Sequence, residues 1–344
     1  MNKRSSASLA SSPSTKTNTR EVHSPFARAF LKRVQNTVAE YSLWGPTESF
    51  VVAVSGGPDS LCLLDVLVLL SRKYDFTLHV AHVNYRLRGT DSDNDEALVR
   101  ERVESYGLTL SVYHPKKTSI ANLEEKLRDL RYRFLEKVRR EQNATLIAVA
   151  HHEDDQAETF LLRLLRGSGM QGLSAMRPKH SHVVRPLLHL KRVDILRYLK
   201  ERQISFRTDQ SNSDPAFLRN RLRHELLPLL KRDYQPRIST ILAKTATRLA
   251  TDLAFFEETL ALTPTEKRGV FSAQALLALP DPLLRHRLRL ILRPYSGNRF
   301  PTEGIVNEIL KILKSTKNKP QSASLGGLKI ERKGDRVRLL RQGA

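Results

Sequence analysis

The chain of 344 residues holds one cysteine, Cys62. That scarcity excludes a disulfide within the chain, a Cys-rich zinc site and any chemistry needing a cysteine pair. The apolar surroundings of Cys62 mark it as a small core residue. No apolar run approaches transmembrane length, and with 40% hydrophobic residues the composition is that of a soluble globular protein with no membrane partner. Acidic residues are few: 36 Asp and Glu stand against 58 Lys and Arg, and none precedes Glu21. The formal charge of +22 argues for a polyanionic partner, nucleic acid before membrane, against the plain alternative of a solvated basic surface. Neither G-x-x-x-x-G-K-[ST] nor H-E-x-x-H occurs, so a Walker-type loop and a zinc-protease helix are both excluded. No internal repeat is visible.

What is present is organised around Phe50–Ser60, FVVAVSGGPDS. Phe50–Val54 is an unbroken apolar, largely β-branched run, the pattern of a strand covered on both faces of a parallel sheet. Gly56 and Gly57 permit a tight turn, and Pro58, Asp59 and Ser60 open an apolar helix over Leu61–Leu70. A strand, a glycine turn and a helix N-terminus gather free N–H groups and a positive dipole end at one point, which suits phosphate, although a glycine pair there is also an ordinary turn. Further strands are expected at Phe76–Val83, Leu108–Tyr113 and Thr145–Ala150, and helices at Pro25–Tyr41, Asp91–Tyr106 and Asn122–Glu141. The alternation predicts a Rossmann-like parallel sheet, an α/β fold whose ligands bind beyond the carboxyl ends of the strands.

A second charged stretch, HHEDDQAETFLLRLLRG, begins at His151, at the end of the fourth strand. Read as helix from its first residue, it aligns His151, Asp155 and Glu158 on one face, with Leu162 and Leu165 continuing inward. A metal site is one alternative; the other is simple dipole complementation by acids in a first turn, which fits Glu153 and Asp154 better than Asp155 and Glu158.

The six residues SGGPDS resemble the SGGxDS signature of PP-loop pyrophosphatases, which cleave ATP between its α- and β-phosphates. Added to AHVNYRLRG (Ala81–Gly89), LRDLRYRFL (Leu127–Leu135), the Ala150–Met176 block, RPLL (Arg185–Leu188) and DQSNSDPAFLRNRLRHELLP (Asp209–Pro228), they resemble the tRNA(Ile)-lysidine synthase family over most of Phe50–Pro228. One departure stands out: Tyr85 occupies the place of a histidine common in the family. The resemblance implies an ATP-dependent ligase that joins L-lysine to C2 of the wobble cytidine of the CAU-anticodon isoleucine tRNA through an adenylated cytidine. AMP and pyrophosphate are released, and codon reading moves from AUG to AUA. It implies ATP contacts at Ser55, Gly56, Gly57, Pro58, Asp59, Ser60, His82 and Arg88, with Mg²⁺ between Asp59 and the phosphates. Asp155 and Glu158 are the candidates for the lysine pocket, and His151 or one of those carboxylates for the proton acceptor. Arg131, Arg219 and Arg223 are suited to phosphate charge, with a plain surface ion pair as the alternative for Arg131. Asp209–Asn212 reads locally as a turn and by resemblance closes the site. Other PP-loop tRNA-modifying enzymes or a non-catalytic ATP-binding RNA protein are the competing functions; the thiolating PP-loop enzymes need cysteines that this chain lacks.

These readings divide the chain into a disordered extension over 1–24, a catalytic domain over 25–230 and a basic tRNA-binding region over 231–344, mostly helical with a C-terminal hairpin at Leu325–Leu340. The helices of that region are expected at Ile238–Leu262, Asp281–Arg293 and Gly304–Leu313. Asp281–Ala344 holds fifteen Lys/Arg against five Asp/Glu, the composition of a surface that grips nucleic-acid backbone. The location expected is cytoplasmic, or a plastid if the first 24 residues are a transit segment.

Overall fold

The computed structural model describes residues 24–87, 89–116, 123–207, 218–261, 269–295, 301–316, 319–325 and 327–341. Residues 1–23, Arg88 and the Asp209–Asn212 turn therefore lie outside the described residues. Two compact units form, Met1–Leu249 and Ala250–Ala344.

In the first unit the elements are α1 (Pro25–Glu40), β1 (Glu48–Ala53), α2 (Pro58–Ser71), β2 (Phe76–Val83), α3 (Thr90–Ser105), β3 (Thr109–Tyr113), α4 (Leu123–Glu141), β4 (Leu146–Ala148), α5 (Glu153–Leu165), α6 (Met170–Leu173), β5 (Lys179–His180), β6 (Val183–Val184) and α7 (Arg192–Glu201). The sheet order is β3-β2-β1-β4-β6-β5. All neighbours run parallel except the edge pair β5–β6. The expected α/β fold is the fold observed. Beside β1, Val51 pairs with His79 of β2 and with Ile147 of β4.

The unbroken run in β1 has a direct cause. Phe50 and Val52 pack with Phe30, Leu64 and Tyr198 on the α1–α2–α7 side, while Val51 packs with Leu135 and Val138 of α4 on the other. Both faces are covered, so neither admits a polar residue. The layer of α1, α2 and α7 is pinned by Asp65, buried in α2, which accepts from Tyr198 Oη at 2.6 Å, Tyr106 Oη at 2.8 Å and the Arg202 guanidinium at 3.0 Å.

From β1 the chain adds β2 and β3 on one side, then returns through α4 to place β4 on the other. The strand order reverses between β1 and β4, and the crevice beyond their carboxyl ends is where such sheets hold ligands. One helical run then follows at Leu218–Tyr234: α8 (Leu218–Arg221), a π-type stretch at Leu222–Leu226, α9 (Leu227–Leu229) and a second π-type stretch at Leu230–Tyr234. Pro228, which lacks an N–H, interrupts the regular ladder there. The run leads into α10 (Ile238–Ala261).

The second unit has β7 (Val270–Ser272), α11 (Ala273–Leu277), α12 (Asp281–Leu292), α13 (Glu303–Lys314), β8 (Gln321–Leu325), β9 (Leu328–Lys333) and β10 (Arg336–Arg341). The expected hairpin is β9–β10, and β8 and β7 extend it to an antiparallel sheet of order β7-β10-β9-β8. Leu284 and Leu288 of α12, with Val306 and Ile309 of α13, pack against Leu328, Ile330, Val337 and Leu339 of that sheet. Among the described residues no helix is long and apolar enough to cross a membrane.

Candidate active site

The turn after β1 closes on itself. Ser60 Oγ accepts from Ser55 N at 3.1 Å and donates to Gly57 O at 2.9 Å, while Gly57 N donates to Ser55 Oγ at 3.4 Å. Gly56 sits at φ +89°, which strains any other residue, and a Cβ there would stand a tight 3.3 Å from the Asp95 carbonyl. Gly57 is the extended N-cap of α2 and Pro58 its first residue, which leaves the first-turn amides of Asp59 and Ser60 without intrahelical partners, as anion-binding helix N-termini require. Arg207 clamps the loop from outside: its N–H reaches Gly56 O at 3.4 Å, and its guanidinium pairs with Asp91 at 2.8 Å and Asp95 at 3.0 Å.

Opposite the loop stands the start of α5. The helix begins at Glu153, not at His151, and His152 is its extended N-cap. The face proposed from 4-and-3 spacing is therefore corrected: His151 precedes the helix, and only Asp155 and Glu158 share its first turns. Leu165 is corrected as well, since it is exposed, and Ala157 and Leu161 carry the inward stripe. The buried His152 bridges the two halves of the site. Its Nε2 lies 3.6 Å from Asp59 Oδ2 and 3.4 Å from Asp155 Oδ2, and its backbone N–H donates to Asp155 Oδ2 at 3.0 Å. Burial alone lowers the His152 pKa, but Asp155, Asp59 and Asp154 outweigh it and hold the imidazole above its ordinary value. Burial opposes ionisation of Asp155 too, yet the His152 imidazole, Arg219 and the His152 backbone N–H hold that carboxyl well below the usual range.

Two arginines from the Leu218–Tyr234 run complete the group. Arg223 forks onto Glu158, Nε to Oε1 at 2.5 Å and a terminal nitrogen to Oε2 at 2.9 Å, and also reaches Asp155 Oδ1 at 3.2 Å. Arg219 donates to Glu158 Oε2 at 2.9 Å and Asp155 Oδ1 at 3.3 Å. Asp155 and Glu158 are three apart on one helix and Arg219 and Arg223 four apart on another, so each pair presents its two charges on one face. The carboxylates expected to wait for a lysine ammonium are thus already matched by guanidinium groups, and the arginines expected at phosphate are engaged with the carboxylates. An unbroken chain of charged contacts runs from Asp59 through His152 and Asp155 to Glu158.

His151 sits in a cationic surrounding. Arg185 Nε donates to its Nδ1 at 3.2 Å. Burial first, then Arg185, Arg128 and Arg131 against the opposing Asp155, push its pKa well below the ordinary value. A neutral imidazole whose Nδ1 accepts carries its proton on Nε2, so His151 keeps an N–H donor on its other nitrogen. Arg131 lies over the Tyr132 ring at 5.7 Å, and among the described residues it forms no ion pair. His82 is neutral as well, its pKa lowered by burial; Nδ1–H donates to Val54 O at 2.8 Å, and the buried Nε2 has no partner among the described residues. Tyr85, standing where the family commonly has histidine, donates to Leu127 O at 3.0 Å and serves α4.

Asp59 Oδ1 is also buried and unpartnered among the described residues. A single hard oxygen donor beside a phosphate loop fits Mg²⁺, which takes one or two carboxylates and completes its shell from substrate phosphates and water. Among the described residues no group of three His, Cys, Asp or Glu forms an all-protein metal cage.

Sequence reasoning missed His152 and the pairing of two helices by four charges. The signal for the first was the doubled histidine ahead of an acidic turn; for the second, the matched spacings of Asp155/Glu158 and Arg219/Arg223.

A family profile described as a PP-loop domain matches residues 26–230. A tRNA(Ile)-lysidine synthase of Geobacter sulfurreducens is 43% identical over 273 residues, 76% of this chain and 58% of the relative. One from Porphyromonas gingivalis is 34% identical over 90% of this chain and 67% of the relative. Several curated relatives are longer, and the chain spans between half and two thirds of their length. Among solved structures, a U34-tRNA thiolase from Methanococcus maripaludis superposes with a TM-score of 0.53 at 17% identity, over 66% of this chain and 79% of that one, a likeness of fold. With a PP-loop domain over more than half its length and relatives of one name along most of the rest, the chain belongs to the tRNA(Ile)-lysidine synthase family of PP-loop proteins.

Proposed function

We propose that this protein ligates L-lysine to C2 of the wobble cytidine in the CAU-anticodon isoleucine tRNA, in two steps within the crevice between β1 and β4. The cytidine C2 oxygen attacks the α-phosphate of ATP and pyrophosphate leaves. The deprotonated ε-amine of lysine then attacks C2, the C–N bond forms, and the C2–O bond breaks with AMP carrying away the oxygen. The observation that carries this reading is the contact of His152 with both Asp59 of the glycine turn and Asp155 of the charged group, which supports assigning the turn to pyrophosphate and the charged group to the amino acid of one reaction.

Each residue has work in that scheme. Ser55, Ser60 and the first-turn amides of α2 hold the departing pyrophosphate; Asp59 would hold Mg²⁺, and a bound Mg²⁺ would supply charge neutralisation there. The bare His82 Nε2 accepts a hydrogen bond from the nucleotide. Lysine brings one carboxylate and two ammonium groups, and the four charges of Asp155, Glu158, Arg219 and Arg223 receive it by exchange: its ammonium takes a carboxylate from an arginine, and its carboxylate takes an arginine in return. His151, a donor from Nε2, steadies the oxygen that leaves with AMP, while a carboxylate of the group takes the amine proton. Arg131 adds positive potential at the same oxygen. The basic region over 231–344 holds the tRNA backbone, and the work is placed in the cytoplasm, or in a plastid.

The test is direct. Protein incubated with ATP, Mg²⁺, lysine and a CAU-anticodon isoleucine tRNA transcript should release AMP and pyrophosphate and place one lysine per tRNA. AMP formed without lysine in the RNA removes the ligase reading; no AMP removes the adenylation step too.

A further inference from the structure

The outer face of α10 is a cationic stripe that the fold does not use. Arg237, Lys244 and Arg248 are exposed, and none has an ion-pair partner among the described residues. Arg237 stands one residue ahead of the helix and its carbonyl already accepts from Ile241 N at 3.0 Å, so it lies on the helical cylinder. At about 100° per residue the three cations fall within roughly 40° of arc, and at about 1.5 Å per residue they span roughly 16 Å. The opposite face is spent: Ile238 and Leu242 pack with Leu161, Leu222 and Leu227, and Ala246 with Phe160 and Ala175. Immediately before the stripe, Tyr234 is 76% exposed, a large aromatic left mostly in solvent.

This end of α10 is fixed at the rim of the candidate site. Thr240 Oγ1 donates to Glu153 Oε1 at 2.7 Å, and Lys231 reaches Asp154 at 3.2 Å, both in the first turn of α5 beside Asp155. Tyr234 and Arg237 lie between Lys231 and Thr240 in the chain, so the ring and the first cation belong to that rim, and Lys244 and Arg248 follow along the helix. A membrane surface does not suit this face, because a helix lying on lipid offers it a broad apolar side, and between Ile238 and Arg248 the only exposed large apolar residue is Ile241. Unpaired cations in a row with an exposed ring suit RNA, whose phosphates take point charges and whose unstacked bases take aromatic faces.

We propose that Tyr234, Arg237, Lys244 and Arg248 form the track on which the tRNA lies as it leaves the active site, three cations on phosphates and the ring under a base. This deepens the lysidine-synthase reading and rests on it. Binding of the unmodified isoleucine tRNA transcript is measured from low to moderate salt for the wild type, the triple variant Arg237→Glu/Lys244→Glu/Arg248→Glu, the charge-keeping Arg237→Lys/Arg248→Lys, Tyr234→Ala, and a control reversal elsewhere, Lys32→Glu/Lys73→Glu.

The triple variant should bind at least tenfold more weakly at low salt, and its log–log salt slope should be shallower by between two and three, at about 0.9 for each phosphate that is no longer neutralised. The Lys variant should keep wild-type affinity, and Tyr234→Ala should bind about fivefold or more weakly with the slope unchanged. Wild-type slope and affinity in the triple variant overturn the track while leaving the substrate reading intact, and so does an equal weakening in the control. Failure of the wild type to bind the tRNA overturns the substrate reading itself. Loss of binding to anionic phospholipid vesicles, with tRNA binding unchanged, overturns the track in favour of a membrane.

Discussion

Replacing Glu158 with Gln tests whether the ionic group between α5 and the Leu218–Tyr234 run holds the structure together, receives substrate, or both. Glu158 is 1% exposed and accepts three hydrogen bonds from two guanidinium groups. At about 4 Å and an effective dielectric near 20, one such pair is worth about 4 kcal/mol before desolvation. Deleting one partner of a buried pair leaves the other charge uncompensated, at a cost of about 3–5 kcal/mol. At about 2–4 °C per kcal/mol for a domain of this size, the unfolding midpoint should fall by about 6–20 °C. Arg223→Gln alone should cost a similar amount, but the double variant should cost less than the sum, with a coupling of about 2–3 kcal/mol in a cycle measured by denaturant unfolding. The functional arm follows from the exchange proposed for lysine: Glu158→Gln should raise the lysine KM more than tenfold while adenylation of the tRNA, read as pyrophosphate release, changes little. Additive effects within about 0.5 kcal/mol would refute the ionic coupling, and a normal lysine KM in a folded variant would refute the exchange.

Asp65→Ala removes the common acceptor of Tyr106, Tyr198 and Arg202 inside the core, and a loss of about 3–5 kcal/mol is expected in denaturant unfolding; a loss under about 1 kcal/mol would contradict the pinning of α2 to α7. Gly56→Ala forces a side chain at φ +89° against the Asp95 carbonyl, so ATP affinity by calorimetry should drop at least tenfold, and unchanged affinity would remove the loop from nucleotide binding. Because the neighbouring carboxylates raise the His152 pKa above its unfolded value, its contribution to stability is full below the ordinary histidine range and is lost as pH rises through the folded value. Thermal midpoints should therefore decline on that limb, and His152→Gln should flatten it; a variant with the same pH slope would show that the titration lies elsewhere. Phosphates arriving beside Asp59 compete for His152 and Arg223 and release Asp155 and Glu158, so a non-hydrolysable ATP analogue with Mg²⁺ should tighten lysine binding severalfold, and lysine should tighten the analogue equally; independent affinities would sink that coupling.

What could be read from residues alone followed how local its cause was. The four parallel strands and the phosphate turn were legible because two-sided burial leaves a run such as Phe50–Val54 no polar position, and because a sharp reversal at Gly56 admits little else. The phase of α5 was not. Helical spacing fixes which residues share a face only once the first helical residue is known, and the extended N-cap at His152 shifts that origin by two positions past His151. Short strands such as Val270–Ser272 and Gln321–Leu325 were missed because neither carries a long apolar alternation; pairing with β10 and β9 makes them strands. The partners of Asp155 and Glu158 lie some sixty residues away, and a sequence records charges without recording which meet. Even so, three-spacing in the acids and four-spacing in the arginines is what two crossing helices need to bring four charges to one contact. The same arithmetic that suggested a pocket open to lysine equally described a closed latch. What separates the two readings is the count of opposite charges on the facing helix: Arg219 and Arg223 match both acids, so on the proposed reaction lysine enters by displacing a partner rather than by filling an empty place.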